Sequence, residues 1–417
     1  MTAGKIEPAF PNDDDLVSLG DKVGDLREMT AHLRGRIGEN TRHALAPLLR
    51  AMNSYYSNKI EGQHTYPADL EAALDESFSA DPGVRHKQEL AVAHIRLEER
   101  LEPIARRLPW SDLFTPGWIC GIHRELYEQL PAGALTLLNK QGIAYGEMQP
   151  GALRVIDVEV GNHLGPPHDL VPELLDHLSF RYGNDHYATS KKVIAAGASM
   201  HRLSWVHPFA DGNGRVSRLH NHLLLAHLGL TDGLWSPMRG LARKHQDYYK
   251  ALAAADATRR NASDGRGTLS ARGLAAYIDF WLEVCLDQAG FMAQQLALDS
   301  LEHRYNSLAL QIAHDFGRQM VHHRSSLDPT TLGRALYRLF QIGKLERGEF
   351  KAMLGQSDRS ASRVIAQLID LRLVTSASRV GSLSPGLPFF SLRFLFPGLW
   401  PEAEGAEPPS IVLGATD

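Results

Sequence analysis

What most constrains this chain is an elbow of twelve residues, His207-Pro-Phe-Ala-Asp-Gly-Asn-Gly-Arg-Val-Ser-Arg218, set between two helical patterns. Before it, Lys192 to Val206 is apolar and small (Val193, Ile194, Ala195, Ala196, Ala198, Met200, Leu203, Trp205), as expected of a central helix buried on most sides. After it, Val216, Leu219, Leu223 and Ala226 recur at helical spacing. Asp211-Gly-Asn-Gly214 must turn tightly between them, because Gly and Asn tolerate left-handed backbone angles. Such a unit points to a mainly helical fold with His207 mounted on rigid structure.

The same twelve residues carry chemistry. A turn at a helix N-terminus aims unpaired N–H groups, with the helix dipole, at an anion. Arg215 and Arg218, three apart, face one side and match phosphate oxygens. Asp211 is a hard oxygen ligand suited to Mg²⁺ beside phosphates. His207 can act as a general base near neutral pH. Taken singly, a structured turn, a core histidine and surface arginines account for each residue. Together in twelve positions they point to a nucleotide-phosphate site. A metal hydrolase on His207 and Asp211 lacks a third ligand at usable spacing.

The string resembles the signature of the Fic family, His-Pro-Phe-x-Asp-Gly-Asn-Gly-Arg-x-x-Arg, at every fixed position. The resemblance implies a Fic-type helical core that transfers AMP from ATP to a Ser, Thr or Tyr hydroxyl of a target protein, or of itself. By it His207 is catalytic and Asp211 holds Mg²⁺. Gly212, Asn213 and Gly214 bind the α-phosphate region through backbone N–H groups and the Asn amide. Arg215, Val216, Ser217 and Arg218 line the β- and γ-phosphates. Relatives also transfer other phosphate groups, and the same pocket could remove AMP.

Three more stretches extend the likeness. Ser57-Asn-Lys-Ile-Glu-Gly62 is similar to the family's inhibitory motif; Ser57 and Glu61 share a helix face and Gly62 ends it. On spacing alone Glu61 is an exposed acid; by resemblance it pairs with Arg218. Gly151-x-x-Arg154 with Val160-Gly-Asn-His163 resembles the flap that holds a target segment by strand pairing near residues 151–163, with Val160, Gly161, Asn162 and His163 close to the nucleotide. On the residues alone, Arg154 to Val160 reads as part of a short hairpin. Tyr248-Tyr249 resembles the segment covering adenine, where the family often has Asn at the position of Asp256.

Composition bounds the rest. At 417 residues, 43% hydrophobic and 22% charged, the chain can form two or three soluble domains. A net charge of −4 disfavours bulk nucleic-acid binding, and two cysteines exclude a disulfide framework. The start lacks an apolar signal core and no apolar run reaches membrane-spanning length, so a cytoplasmic location without membrane contact is expected. The expected division is a helical N-terminal region (1–105) with an inhibitory helix at about 45–62, a catalytic core (106–295), a winged-helix-like domain (296–400) and a tail (401–417). Residues 1–20 read as extended or poorly ordered, and Pro47 as an interruption. Glu349 to Leu371 reads as helix-turn-helix, with Leu373-Val-Thr and Phe389 to Phe394 as strands of a wing. That domain serves protein contacts or DNA binding, the second being the main alternative function. A homodimer is one arrangement open to the chain.

Overall fold

The computed structural model describes residues 6–138, 141–160, 163–319 and 328–406. It is mainly helical, with three small two-stranded antiparallel sheets among the described residues. The chain divides into two compact units. One comprises Met1–Ala31, Arg50–Thr65 and Ala73–Ala289; the other His32–Leu49, Tyr66–Ala72 and Gly290–Asp417. Residues 1–105 form no unit of their own: they are shared between the two.

Helices α1 (Asp13–Arg36), α2 (Glu39–Ile60) and α3 (Pro67–Leu74) come first. Two expectations change here. Residues 6–12 are tied down, with Ala9 O accepting from Tyr182 Oη at 2.6 Å and Pro8 O from Arg202 Nη2 at 2.9 Å, and a helix begins at Asp13. The break falls at Ile37-Gly38, while Pro47 lies inside α2.

Helix α4 (Pro82–Ala105) starts where Asp81 accepts from Val84 N–H, with Pro82 pre-set for the first turn. Helix α5 (Pro116–Tyr127) repeats the device with Thr115 and Pro116. Two hairpins follow, β1 (Thr136–Leu138) with β2 (Ala144–Glu147), and β3 (Glu159–Val160) with β4 (His163–Leu164). The first was not anticipated, since β2 is exposed throughout and shows no burial alternation. The strand expected over Arg154–Val160 is confined to its last two residues.

Helices α6 (Val171–Tyr182), α7 (Thr189–Val206) and α8 (Asn213–His227) form the heart of the first unit. α7 packs on α6 and α8, and α8 on α4 and α5. α7 is buried along nearly its whole length, as its small apolar residues require. At Gly197 an added methyl would sit 2.7 Å from the Trp281 ring, so glycine permits that close approach. Helices α9 (Met238–Arg243), α10 (His245–Asp256) and α11 (Ala271–Gln295) follow.

The second unit holds α12 (Leu298–Gln319), α13 (Pro329–Ile342), α14 (Arg347–Leu354), α15 (Asp358–Asp370), strands β5 (Val374–Thr375) and β6 (Ser384–Pro385), and α16 (Leu392–Leu395). The partner of β5 is therefore Ser384–Pro385. Phe389–Ser391 is a 3₁₀ turn leading into α16, not a strand. Phe389, Phe390, Leu392 and Leu395 are all buried, which a one-faced strand could not achieve. Residues 407–417 of the expected tail lie outside the described residues.

Candidate active site

The elbow forms as its composition requires. His207 ends α7 in the left-handed region (φ 49°, ψ 61°), its N–H donating to Leu203 O at 3.1 Å. Gly212 (φ 79°) precedes α8, and a methyl there would collide with the Tyr127 hydroxyl. Asn213 closes the loop by itself: its Oδ1 accepts from Phe209 N–H at 2.9 Å and its Nδ2 donates to Phe209 O at 2.8 Å. Of the Asn213 amide expected at phosphate, the oxygen and one N–H are thus engaged by the backbone, which leaves its second N–H. The N–H groups of Asn213, Gly214 and Arg215 lie in the first turn of α8, beyond reach of any carbonyl of that helix.

Two residues brace the loop that sequence reasoning did not assign. His123 Nδ1 accepts from Gly151 N–H at 2.8 Å, so the proton sits on Nε2, which donates to Asp211 O at 3.2 Å. The ring stacks on Phe209, and burial lowers its pKa to about 4. Arg154 is buried and donates through Nε to His207 O (2.7 Å), through Nη1 to Ile156 O (2.8 Å), and through Nη2 to Pro166 O. Its own N–H meets Pro208 O at 2.9 Å. Capture of these carbonyls turns the segment inward, which is why residues 154–158 are not strand. No spacing signal marks such carbonyl-binding roles.

His207 Nδ1 lies 3.4 Å from Ser204 O. A carbonyl only accepts, so this contact favours the tautomer with Nδ1 protonated and Nε2 free. Burial, with Arg154 and His163 adding to it, lowers the His207 pKa to about 4. The imidazole is therefore neutral at pH 7.

The two arginines are both engaged by the last turn of α2 and the residues just after it. Arg218 Nε donates to Ser57 Oγ (3.0 Å), and its Nη2 to Ser57 O (3.0 Å) and Glu61 Oε1 (2.7 Å). Arg215 Nε donates to Asn58 Oδ1 (3.0 Å), Nη1 to Tyr127 Oη (2.7 Å) and Nη2 to Gln63 Oε1. A methyl at Gly214 would strike Glu61 Oε1, so the carboxylate lies on the first turn of α8. Burial pushes the Glu61 carboxyl up, but Arg218 and Arg215 outweigh it and hold the pKa below the usual value. The geometry of α2 follows from Gly62 (φ 69°): Gly62 N–H bonds Lys59 O and Gln63 N–H bonds Asn58 O, a Schellman ending. That ending delivers Glu61 and Gln63 to the two arginines. Asn58 and Gln63 were not singled out from the sequence; they lie within or just beyond the motif that was.

Asp211 is exposed over 57% of its side chain. Its Oδ1 accepts from Gly212 N–H at 2.6 Å, and its Oδ2 lies 3.9 Å from Arg215 Nη1. One oxygen thus remains for a hard cation such as Mg²⁺, and the donor fits it. Val216 and Ser217 are buried in α8, Ser217 Oγ accepting from Ser204 Oγ at 3.1 Å. Tyr248 is buried with its hydroxyl against Arg218, and Tyr249 Oη donates to Ile60 O at 3.2 Å. Asp256 pairs with His201 Nε2 (3.0 Å) and lies 3.6 Å from His163 Nδ1. His163 Nε2 also reaches Trp205 O at 2.9 Å. Val160 belongs to β3; Gly161 and Asn162 lie outside the described residues.

Residues 113–225 match the model of the Fic/DOC family. Over 207 residues the chain is 28% identical to the "Protein adenylyltransferase Fic" of Nematostella vectensis, a match covering 48% of this chain and 42% of that protein. The protein of the same name from Drosophila melanogaster is 29% identical over 139 residues, 32% of this chain and 27% of that one. The chain thus spans less than half the length of the curated relatives it matches. The crystal structure of a Fic family protein from Desulfovibrio desulfuricans G20 is 19% identical, covering 91% of this chain and 98% of that one at a TM-score of 0.49. The matched segment takes in α5 through the motif loop and most of α8, so the chain carries a domain of the Fic/DOC family at residues 113–225.

Proposed function

We propose that this chain is a protein adenylyltransferase held inactive by its own α2. The observation that carries this reading is the convergence of a neutral His207, the bare first turn of α8 and two arginines on one loop, with Glu61 lying on that turn and gripping Arg218. In this reading the triphosphate of ATP lies along the N-terminus of α8. The hydroxyl oxygen of the target attacks the α-phosphorus. The bond to the β-bridging oxygen breaks and pyrophosphate leaves. The hydroxyl proton passes to His207 Nε2. Once Glu61 has left the turn, Arg215 and Arg218 offset the charge gathering on the leaving group. A Mg²⁺ held by Asp211 would neutralise phosphate charge when bound.

Inhibition acts through position. With Glu61 on the first turn, a phosphate cannot approach those N–H groups or take up Arg218. ATP that binds regardless lies out of line for attack, and alignment dominates the rate of such transfers. The flap beyond Arg154, with Val155 and Ile156 exposed, is the proposed dock for the target segment. In the second unit the order α13, α14, α15, β5, β6 supports a winged-helix-like reading of that region.

The test is incorporation of label from α-³²P-ATP with Mg²⁺ into the purified protein and into a lysate. Glu61→Gly is expected to raise incorporation and His207→Ala, added to it, to abolish it. Label surviving in the double variant would refute the assigned base. No label in any lane, with every variant folded, would refute adenylyl transfer.

A further inference from the structure

Behind the phosphate loop, α4 and α8 enclose a set of polar groups that the proposed transfer does not use. His94, Glu98 and Glu102 are spaced four apart on α4 and so share one face. His222 faces them from α8, one turn beyond Arg218. His94, Glu98 and His222 are at most 4% exposed, and Glu102 is 8% exposed. One ligand atom each from Glu98, Glu102 and His222 lie within 4.8 Å of one another.

The hydrogen bonding of this cluster is incomplete. Glu98 Oε1 accepts from Asn53 Nδ2 at 2.8 Å and lies 3.4 Å from His222 Nε2. Glu98 Oε2 has no hydrogen-bond partner and lies 3.9 Å from His94 Nδ1. Both ring nitrogens of His94 and both of His222 are buried without a hydrogen bond. Glu102 is braced from outside: its Oε1 accepts from Arg106 Nη2 (2.7 Å), and Arg106 Nη1 donates to Asp232 Oδ1 (2.8 Å). Carboxylates that ligate a metal are themselves hydrogen-bonded from outside, as Glu102 is by Arg106. Five orphaned donor or acceptor atoms in one dry pocket are costly for a native fold, and each such group calls for a partner.

We propose that Glu98, Glu102 and His222, with His94 as a fourth donor, bind a divalent first-row transition cation of the Zn²⁺ class. Imidazole and carboxylate together suit such an ion, and facing helices of a bundle are where such sites are built. Two carboxylates and two neutral imidazoles balance its charge. The ion would tie α4 to α8 directly behind the arginines. The inference rests on these side chains alone and does not depend on the proposed transfer.

The full chain would be stripped with a chelator and titrated with Co²⁺, read by its visible absorption, and then with Zn²⁺ in competition. Wild type is expected to take up one equivalent that survives Asp211→Asn, so the nucleotide site is not its origin. Glu98→Gln keeps the side-chain shape and an oxygen to accept from Asn53, and is expected to lose that equivalent. His222→Gln is read the same way if Glu98→Gln does not fold. Zn²⁺ is expected to raise the Tm of wild type and not that of a folded variant. Absence of the equivalent from wild type, or its retention in a folded Glu98→Gln or His222→Gln protein, would overturn the site and leave a polar pocket filled by water.

Discussion

Glu61 and Gln63 hold different arginines by different chemistry, and the difference predicts their ranking. Glu61 contributes a charged hydrogen bond to Arg218 and covers the first turn of α8. A charged hydrogen bond is worth roughly 1.5–3 kcal/mol, which is about ten- to a hundredfold in an equilibrium. Glu61→Gly is therefore expected to raise self-labelling at least about tenfold. Gln63 offers Arg215 a neutral amide oxygen, and Asn58 and Tyr127 remain when it is removed. Gln63→Ala is expected to raise labelling only a fewfold, measured beside Glu61→Gly at equal protein. No rise with Gln63→Ala would mean that Arg215 is not restrained by it. The base makes its own prediction. With the His207 pKa at about 4, its neutral fraction barely changes between pH 8 and 5.5. At the ordinary pKa of 6.5 only about a tenth would be neutral at pH 5.5. The Glu61→Gly rate is expected to stay nearly flat over that range, and a fall of about tenfold would show that burial does not set the pKa. These residues were legible because the motif names them. His123 and Arg154 were not legible in their roles, because both act on backbone carbonyls or N–H groups brought together only by folding.

At the scale of elements, α7, α8 and the end of α2 were readable from period and punctuation, while α1 begins within residues expected to be extended or poorly ordered. Asp81-Pro82, Thr115-Pro116 and Gly62 mark ends that occur where those residues allow. The β segments were not, since each described strand is only two to four residues long and the pairs are set by loops. The phosphate loop lies between these cases: its turn was expected, but not what holds it. Asn213 does so through two bonds to Phe209, which engage its oxygen and one of its two amide N–H groups. Asn213→Ala would leave a buried N–H and a buried C=O of Phe209 unpaired, at about 1–3 kcal/mol each. A drop in Tm of several degrees is expected, together with loss of labelling in the Glu61→Gly background. An unchanged Tm with lost labelling would restore the amide to phosphate binding. The second unit was readable in its helices α14 and α15 but not at Phe389 to Leu395, where aromatic residues buried all round suit a short helix as well as a strand.

For the molecule as a whole, buried neutral groups set how stability depends on pH. His123, His207 and His220 have pKa values lowered to about 4, and His94 to about 3, chiefly by burial. His123 shows the constraint directly, since protonating Nδ1 would set two donors against each other at Gly151. Unfolded, each returns to about 6.5. Between those values the unfolded chain binds protons that the native protein refuses, so stability falls as pH drops from 6.5 to 4. Glu98 acts in the opposite sense. Its native pKa of about 8 exceeds the unfolded value, so its contribution falls as pH rises from 4.5 to 8. Below 6.5 the four histidines outnumber the one acid; above 6.5 the acid acts alone among these groups. The metal-free protein is therefore expected to have its highest Tm near pH 6.5, a steep decline toward 4.5 and a shallow one toward 8. Glu98→Gln should remove the alkaline decline and keep the acid one, as followed by thermal unfolding in matched ionic strength. A Tm independent of pH between 6.5 and 4.5 would mean that these histidines titrate freely in the fold, and would take the neutral base of the proposed mechanism with it.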